Sequence, residues 1–202
     1  MSLWRFPKLW LGAHLSLTRF AIDIIKESNF SAVTGRRLRY WNRSWLAVEL
    51  LFASLLLTVE SVNRRMVAES PLADLLLIIA FWRINEVAYA FARDAIDKLH
   101  GAPIRSDISA PERMGMLAGS YLGSIVQFAT VYFYLFRGCG FNQKLGSFSE
   151  ALYFSAMSAL SGAPEGMEIT SPWLQFVHVY QAALSVLLLV IALSVYIGAA
   201  KR

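Results

Sequence analysis

Four long apolar runs constrain this chain more than any other feature. They cover roughly Ser44–Val62, Ser70–Ala92, Arg113–Phe136 and Pro172–Ala200. Each holds about 20 mostly apolar residues, enough to cross a bilayer as a helix. Inside lipid a helix satisfies every backbone polar group within its own segment. Composition agrees. The chain is 56% hydrophobic and 16% charged, against about 45–50% and about 25% in soluble domains. Those figures exclude a disordered chain and argue against a soluble enzyme. An all-α integral membrane protein is expected, with 202 residues enough for one small bundle.

Basic residues set the expected orientation. If both termini lie on one side, that side collects fifteen of the nineteen Lys and Arg residues, and the other collects four. The positive-inside rule then places both termini in the cytoplasm of a cell whose inner membrane holds the protein. The net charge of +5 is read as topology and lipid head-group contact, not as a nucleic-acid surface. Arg5 and Lys8 break the first apolar stretch and no cleavable small-residue site follows, so no secretory leader is expected. Leu17, Phe20, Ala21, Ile24 and Ile25 fall on one helical face ahead of the first span. That amphipathic stretch would lie in the inner interface or pack on the bundle.

Catalytic chemistry finds little support. His14, His100 and His178 are far apart, and no pair has metal-ligand spacing. The single cysteine, Cys139, has no intrachain disulfide partner. There is no phosphate loop and no nucleophile elbow. No catalytic residue, metal or cofactor is therefore expected.

The second span carries charge in its apolar run. Arg83 and Glu86 are three residues apart and share a face. Glu49, in the first span, should lie at similar depth. A lone charge facing lipid at that depth costs about 2.5–3.5 kcal/mol on insertion scales. A clamp made by pairing Arg83 with Glu49 or with Glu86 resolves the cost. Voltage sensing needs a ladder of arginines, and one arginine is no ladder. Beyond the span the helix is expected to continue, with Arg93–Asp97 and Asp94–Lys98 spaced for pairing. Pro103 and Pro111 then break the chain. This elbow is the natural docking surface for a soluble partner.

Gly115, Gly119 and Gly123 form two overlapping GxxxG steps in the third span, a pattern that brings helix backbones close in lipid. Between the third and fourth spans runs FSEALYFSAMSALSGAPEGMEITSPWLQF. Ser149 is a candidate N-cap and Glu150 an acid for the first turn. The following Ala151–Leu160 run is too short to span. Gly-, Pro- and Glu-rich chain leads from it to a proline-led helix. Span, short helix, irregular chain and long helix together describe a re-entrant loop.

From ALYFSAMSALSGAPEG onward this arrangement resembles the two-span pore module of potassium channels, over roughly residues 113–200. The resemblance implies a pore helix running into a filter, then an inner helix, in a homotetramer. It places the filter on Ser161, Gly162, Ala163, Pro164 and Glu165. The two filter glycines of the family are replaced here by Ala163 and Glu165, and Pro164 lacks an amide N–H. A potassium-selective carbonyl cage is not expected. Glu165 and Glu168 would instead form carboxylate rings at the outer mouth, or belong to a plain solvated loop. Val186, Leu189, Leu193 and Ile197 share the face that the resemblance turns to the central axis, where they would form a hydrophobic gate.

Three regions follow: an interfacial segment (1–43), a two-helix hairpin with a cytoplasmic elbow (44–112), and the pore module (113–202). The expected function is a tetrameric, weakly selective or gated cation pore. The alternative is a non-conducting scaffold that recruits a soluble partner. Membrane subunits of bacterial anti-phage systems, the Kiwa system's among them, are similar to it in size and span count.

Overall fold

A computed structural model describes residues 34–63, 72–99, 108–136, 138–160, 162 and 166–200. Five helices account for most of them: α1 (Thr34–Val62), α2 (Ala73–Leu99), α3 (Ala110–Phe136), α4 (Phe148–Ala159) and α5 (Pro172–Ala200). Four are long and apolar enough to cross a membrane, over Arg39–Val62, Ala73–Ala92, Pro111–Phe136 and Pro172–Ile191. The described residues are thus predominantly helical, with four helices that suggest a multi-pass membrane protein. The interfacial face on Leu17, Phe20, Ala21, Ile24 and Ile25 lies outside the described residues. So do the side chains of Arg93, Asp94, Asp97 and Lys98, although the α2 backbone continues helically through them.

Local chemistry fixes the helix ends. Ser109 precedes α3, and Glu112 returns a carboxylate to the Ser109 amide and hydroxyl, both at 2.9 Å. Both bonds run from Ser109 to Glu112, so the carboxylate half of a capping box is formed and the Ser109 amide is satisfied. Pro172 opens α5, where its missing N–H costs nothing. α1 begins at Thr34, ahead of the apolar run, so the last part of the 1–43 segment is already helix.

α3 is the centre of the fold, and all four other helices pack against it. Two of its glycines explain how α1 comes so close. A Cβ at Gly119 would meet Leu46 Cδ2 at 3.2 Å, and a Cβ at Gly123 would collide with the Glu49 carboxylate. Gly115 faces open space. The small-residue pattern therefore seats α1, with two of its three glycines in use.

The core is aromatic at the α3–α4–α5 junction. Tyr132 and Phe154 meet edge to face at 4.9 Å, as do Phe141 and Phe154. Phe133 and Phe148 do the same at 5.9 Å. Such pairs add about 0.5–1.5 kcal/mol beyond their buried area. Phe148, Phe154 and Tyr132 are fully buried.

Candidate functional site

The charged clamp lies among α1, α2 and α3. Arg83 Nε donates to Glu49 Oε1 at 3.1 Å, and Arg83 Nη1 donates to Glu86 Oε2 at 2.9 Å. One guanidinium thus holds both carboxylates, so the two pairings the sequence offers are formed together. Glu49, Arg83 and Glu86 are only 3%, 4% and 1% exposed. Burial at this level makes an unpartnered polar atom costly. Gln127 Nε2 donates to Glu49 Oε1 at 3.3 Å, and Trp41 Nε1 to Glu86 Oε1 at 3.0 Å. Arg83 also reaches Asn42 Oδ1 at 3.4 Å and lies over the Trp45 ring at 5.4 Å. Asn85, the third polar residue of the run, accepts from Tyr180 Oη at 2.9 Å. It ties α2 to α5.

A second polar chain joins α3, α4 and α5. Tyr132 Oη donates to Gln181 Oε1 at 2.6 Å. Gln181 Nε2 donates to the Ser155 carbonyl at 2.8 Å, and the Ser155 hydroxyl donates to the Ile125 carbonyl at 2.8 Å. Tyr121 Oη donates to the Ala159 carbonyl at 2.9 Å. These contacts set the course of α4. Its first residue packs on Phe133, near the end of α3, and its last meets Tyr121. The two α3 positions are separated by roughly 18 Å of helix.

The chain then returns to the level of the α3 end. The Thr170 amide donates to the Gly140 carbonyl at 2.8 Å. Asn142 is bonded to the backbone of Gly166 and Glu168, and Phe141 bridges Ile169. Gly140 and Gly166 adopt positive φ of 104° and 80°, where a side chain would be strained.

The N-terminus of α4 uses a residue with no assigned role in the sequence reading. The buried Glu60 of α1 accepts from the amides of both Phe148 and Ser149. An acid in the last turn of α1 faces the unfavourable end of its own helix dipole, and the α4 amides offset that. The N-cap is Ser147, whose hydroxyl accepts from the Glu150 amide at 3.1 Å. This corrects the expectation of Ser149, which is the second residue of the helix, two positions after the cap. Among the first amides of α4, four are thereby partnered, since Ala151 N–H donates to the Ser147 carbonyl.

The remaining sequence-derived positions divide in two. Ser161, Ala163, Pro164 and Glu165 lie outside the described residues. Gly162 donates its amide to the Met157 carbonyl at 2.8 Å, closing the end of α4. Glu168 is exposed, with its backbone fixed by Asn142. Val186 and Leu189 are each 53% exposed. They lie on the α5 face opposite the buried stripe of Leu174, Val177, Gln181, Leu184, Leu188 and Ile191. The side chains of Leu193 and Ile197 lie outside the described residues. Among the described residues, no group of three His, Cys, Asp or Glu side chains is placed to hold a metal ion.

Glu60, Gln127, Gln181, Trp41 and Asn42 are the partners the sequence reading missed. Glu60 shared the signal that drew attention to Arg83, a charge within an apolar run, whereas the other four are neutral and carried none. Four helices long and apolar enough to cross a bilayer suggest a class, a multi-pass membrane protein, here with two carboxylates held by one guanidinium in its core. Comparison with known proteins finds no matching family model, no matching curated protein and no matching solved structure.

Proposed function

We propose that the chain is the protomer of a homotetrameric, channel-like membrane protein, a weakly selective cation pore without a potassium filter. The observation that carries this reading is the course of α4. Its contacts run down α3 from the Phe133 ring through the Ile125 carbonyl to the Tyr121 hydroxyl, and by Gly166 the chain is back beside Asn142. In a bilayer that course is a re-entrant helix and loop. Non-helical backbone at membrane depth is tolerated only when buried in protein or lining a water-filled cavity. Leu160, at the deep end, is 71% exposed in a single copy. Neighbouring copies would supply the missing enclosure, and four related by rotation close a ring.

The chemistry of that ring favours cations. The C-terminal end of α4 carries the negative end of its dipole to mid-depth. Glu165 and Glu168 would add carboxylates at the mouth. Ala163, Pro164 and Glu165 deny the chain a potassium cage. The exposed Val186–Leu189 face, extended by Leu193 and Ile197, would line a narrow axis that dewets and closes at rest. The basic count favours both termini in the cytoplasm and the 137–172 segment outside.

The test is current through the purified protein in a planar bilayer. Leu189→Ser or Leu193→Ser should raise leak by wetting the constriction. Glu165→Gln and Glu168→Gln should lower the preference for cations over anions. A tetramer that stays silent with both serine substitutions combined would refute conduction and leave a scaffold that recruits a soluble partner.

A further inference from the structure

The clamp does not balance. Among the described residues it holds two carboxylates and one guanidinium, all at least 95% buried. The nearest other cations on α1 are Arg39 and Arg43, roughly 15 and 9 Å from Glu49 along the helix axis. Arg39 is engaged by Glu112 at 3.2 Å, and Arg43 is exposed. Among the described contacts, α3 presents the neutral Gln127 and Gly123 to Glu49, and the neutral Tyr180 of α5 bonds the neighbouring Asn85. A residual negative charge in such a place is strongly unfavourable.

The four carboxylate oxygens are not equivalent. Glu86 receives an N–H on each oxygen, from Trp41 and from Arg83. Glu49 receives both of its donors on Oε1, from Arg83 and Gln127. Its Oε2 lies against the backbone of Gly123, where an added Cβ would collide with it, and neither of those two described donors reaches it. An ionised carboxylate spreads its charge over both oxygens and seeks donors for each. A neutral acid can keep its proton on the oxygen that receives none.

We propose that the Glu49–Arg83–Glu86 cluster binds one proton, carried on Glu49 Oε2 as a neutral carboxylic acid. The cluster is then a 1:1 ion pair of Arg83 with Glu86, with Glu49 accepting from Arg83 through its carbonyl oxygen. The site takes a proton rather than a metal ion, because Oε2 lies against the Gly123 backbone and, among the described residues, no group of three His, Cys, Asp or Glu side chains is placed to hold a metal.

Two measurements on the full-length protein in an ester-free maltoside detergent test this. Infrared spectroscopy at neutral pH should show a carboxylic-acid C=O band above the amide I envelope. The band should shift on deuterium exchange and vanish in Glu49→Gln. Glu49→Gln, which imitates the neutral acid, should melt with the wild type, whereas Glu86→Gln should melt well below it. Absence of the band in wild type would overturn the proposal, as would a Glu49→Gln protein that fails to fold or melts as low as Glu86→Gln. Stability of the wild type that rises with sodium or potassium concentration, and loses that dependence in Glu49→Gln, would assign the site to a metal cation and equally overturn it.

Discussion

Arg83→Met removes the guanidinium while keeping an unbranched apolar stem in the bundle. The variant loses the 3.1 Å bond to Glu49 and the 2.9 Å bond to Glu86. Hydrogen bonds involving a charged group contribute about 1.5–3 kcal/mol each. Removing one partner of a buried pair costs about 3–5 kcal/mol, because the other charge is stranded. The two routes agree on a loss of roughly 3–5 kcal/mol. The 3.4 Å contact to Asn42 and the stacking on Trp45 are secondary. For a chain of this length, each kcal/mol moves the melting temperature by about 2–4 °C, so a fall on the order of 10 °C is expected. Tryptophan fluorescence during heating in mild detergent reads it, since Trp41 and Trp45 border the cluster. Adding Glu86→Gln to Arg83→Met should recover most of the loss, because it removes the stranded charge. An Arg83→Met protein that melts with the wild type, or a double variant with fully additive losses, would refute the clamp.

Gly123→Ala should destabilise by about 1–3 kcal/mol through overpacking against Glu49, while Gly115→Ala, in open space, should leave the melting temperature unchanged. Glu60→Ala should cost at least ~2 kcal/mol by orphaning the Phe148 and Ser149 amides, and proteolysis within residues 138–147 should quicken. Cys139 is free and exposed, so a membrane-impermeant maleimide should label it in intact cells from outside. Labelling only after the cytoplasmic face is opened would reverse the proposed orientation.

The elements were legible because hydropathy and length alone demand them. The expected spans fall on α1, α2, α3 and α5, and α5 keeps the bounds Pro172–Ala200. The α4 start at Phe148 was also visible, from an acid and small polar residues before an apolar run. Its cap was not, because Ser147 and Ser149 are alike in sequence and only the backbone angles at Ser147, φ −149° and ψ 156°, distinguish them. Arg83, Glu49 and Glu86 stood out because each is costly in lipid. Their neutral partners did not, since a glutamine or an asparagine in a span carries no charge to betray it. Gln127 and Gln181 are needed for reasons that lie on other helices. The pairing of Glu60 with α4, some 88 residues onward in sequence, depends on how α1 and α4 meet at α3. No periodicity within either helix encodes that.

The number of copies in the assembly tests the central claim most directly. Native mass spectrometry of the 22.6 kDa chain, released from mild detergent, should give a complex of four copies. A monomer or a dimer as the largest species would leave the deep end of α4 without its neighbours and contradict the channel-like account.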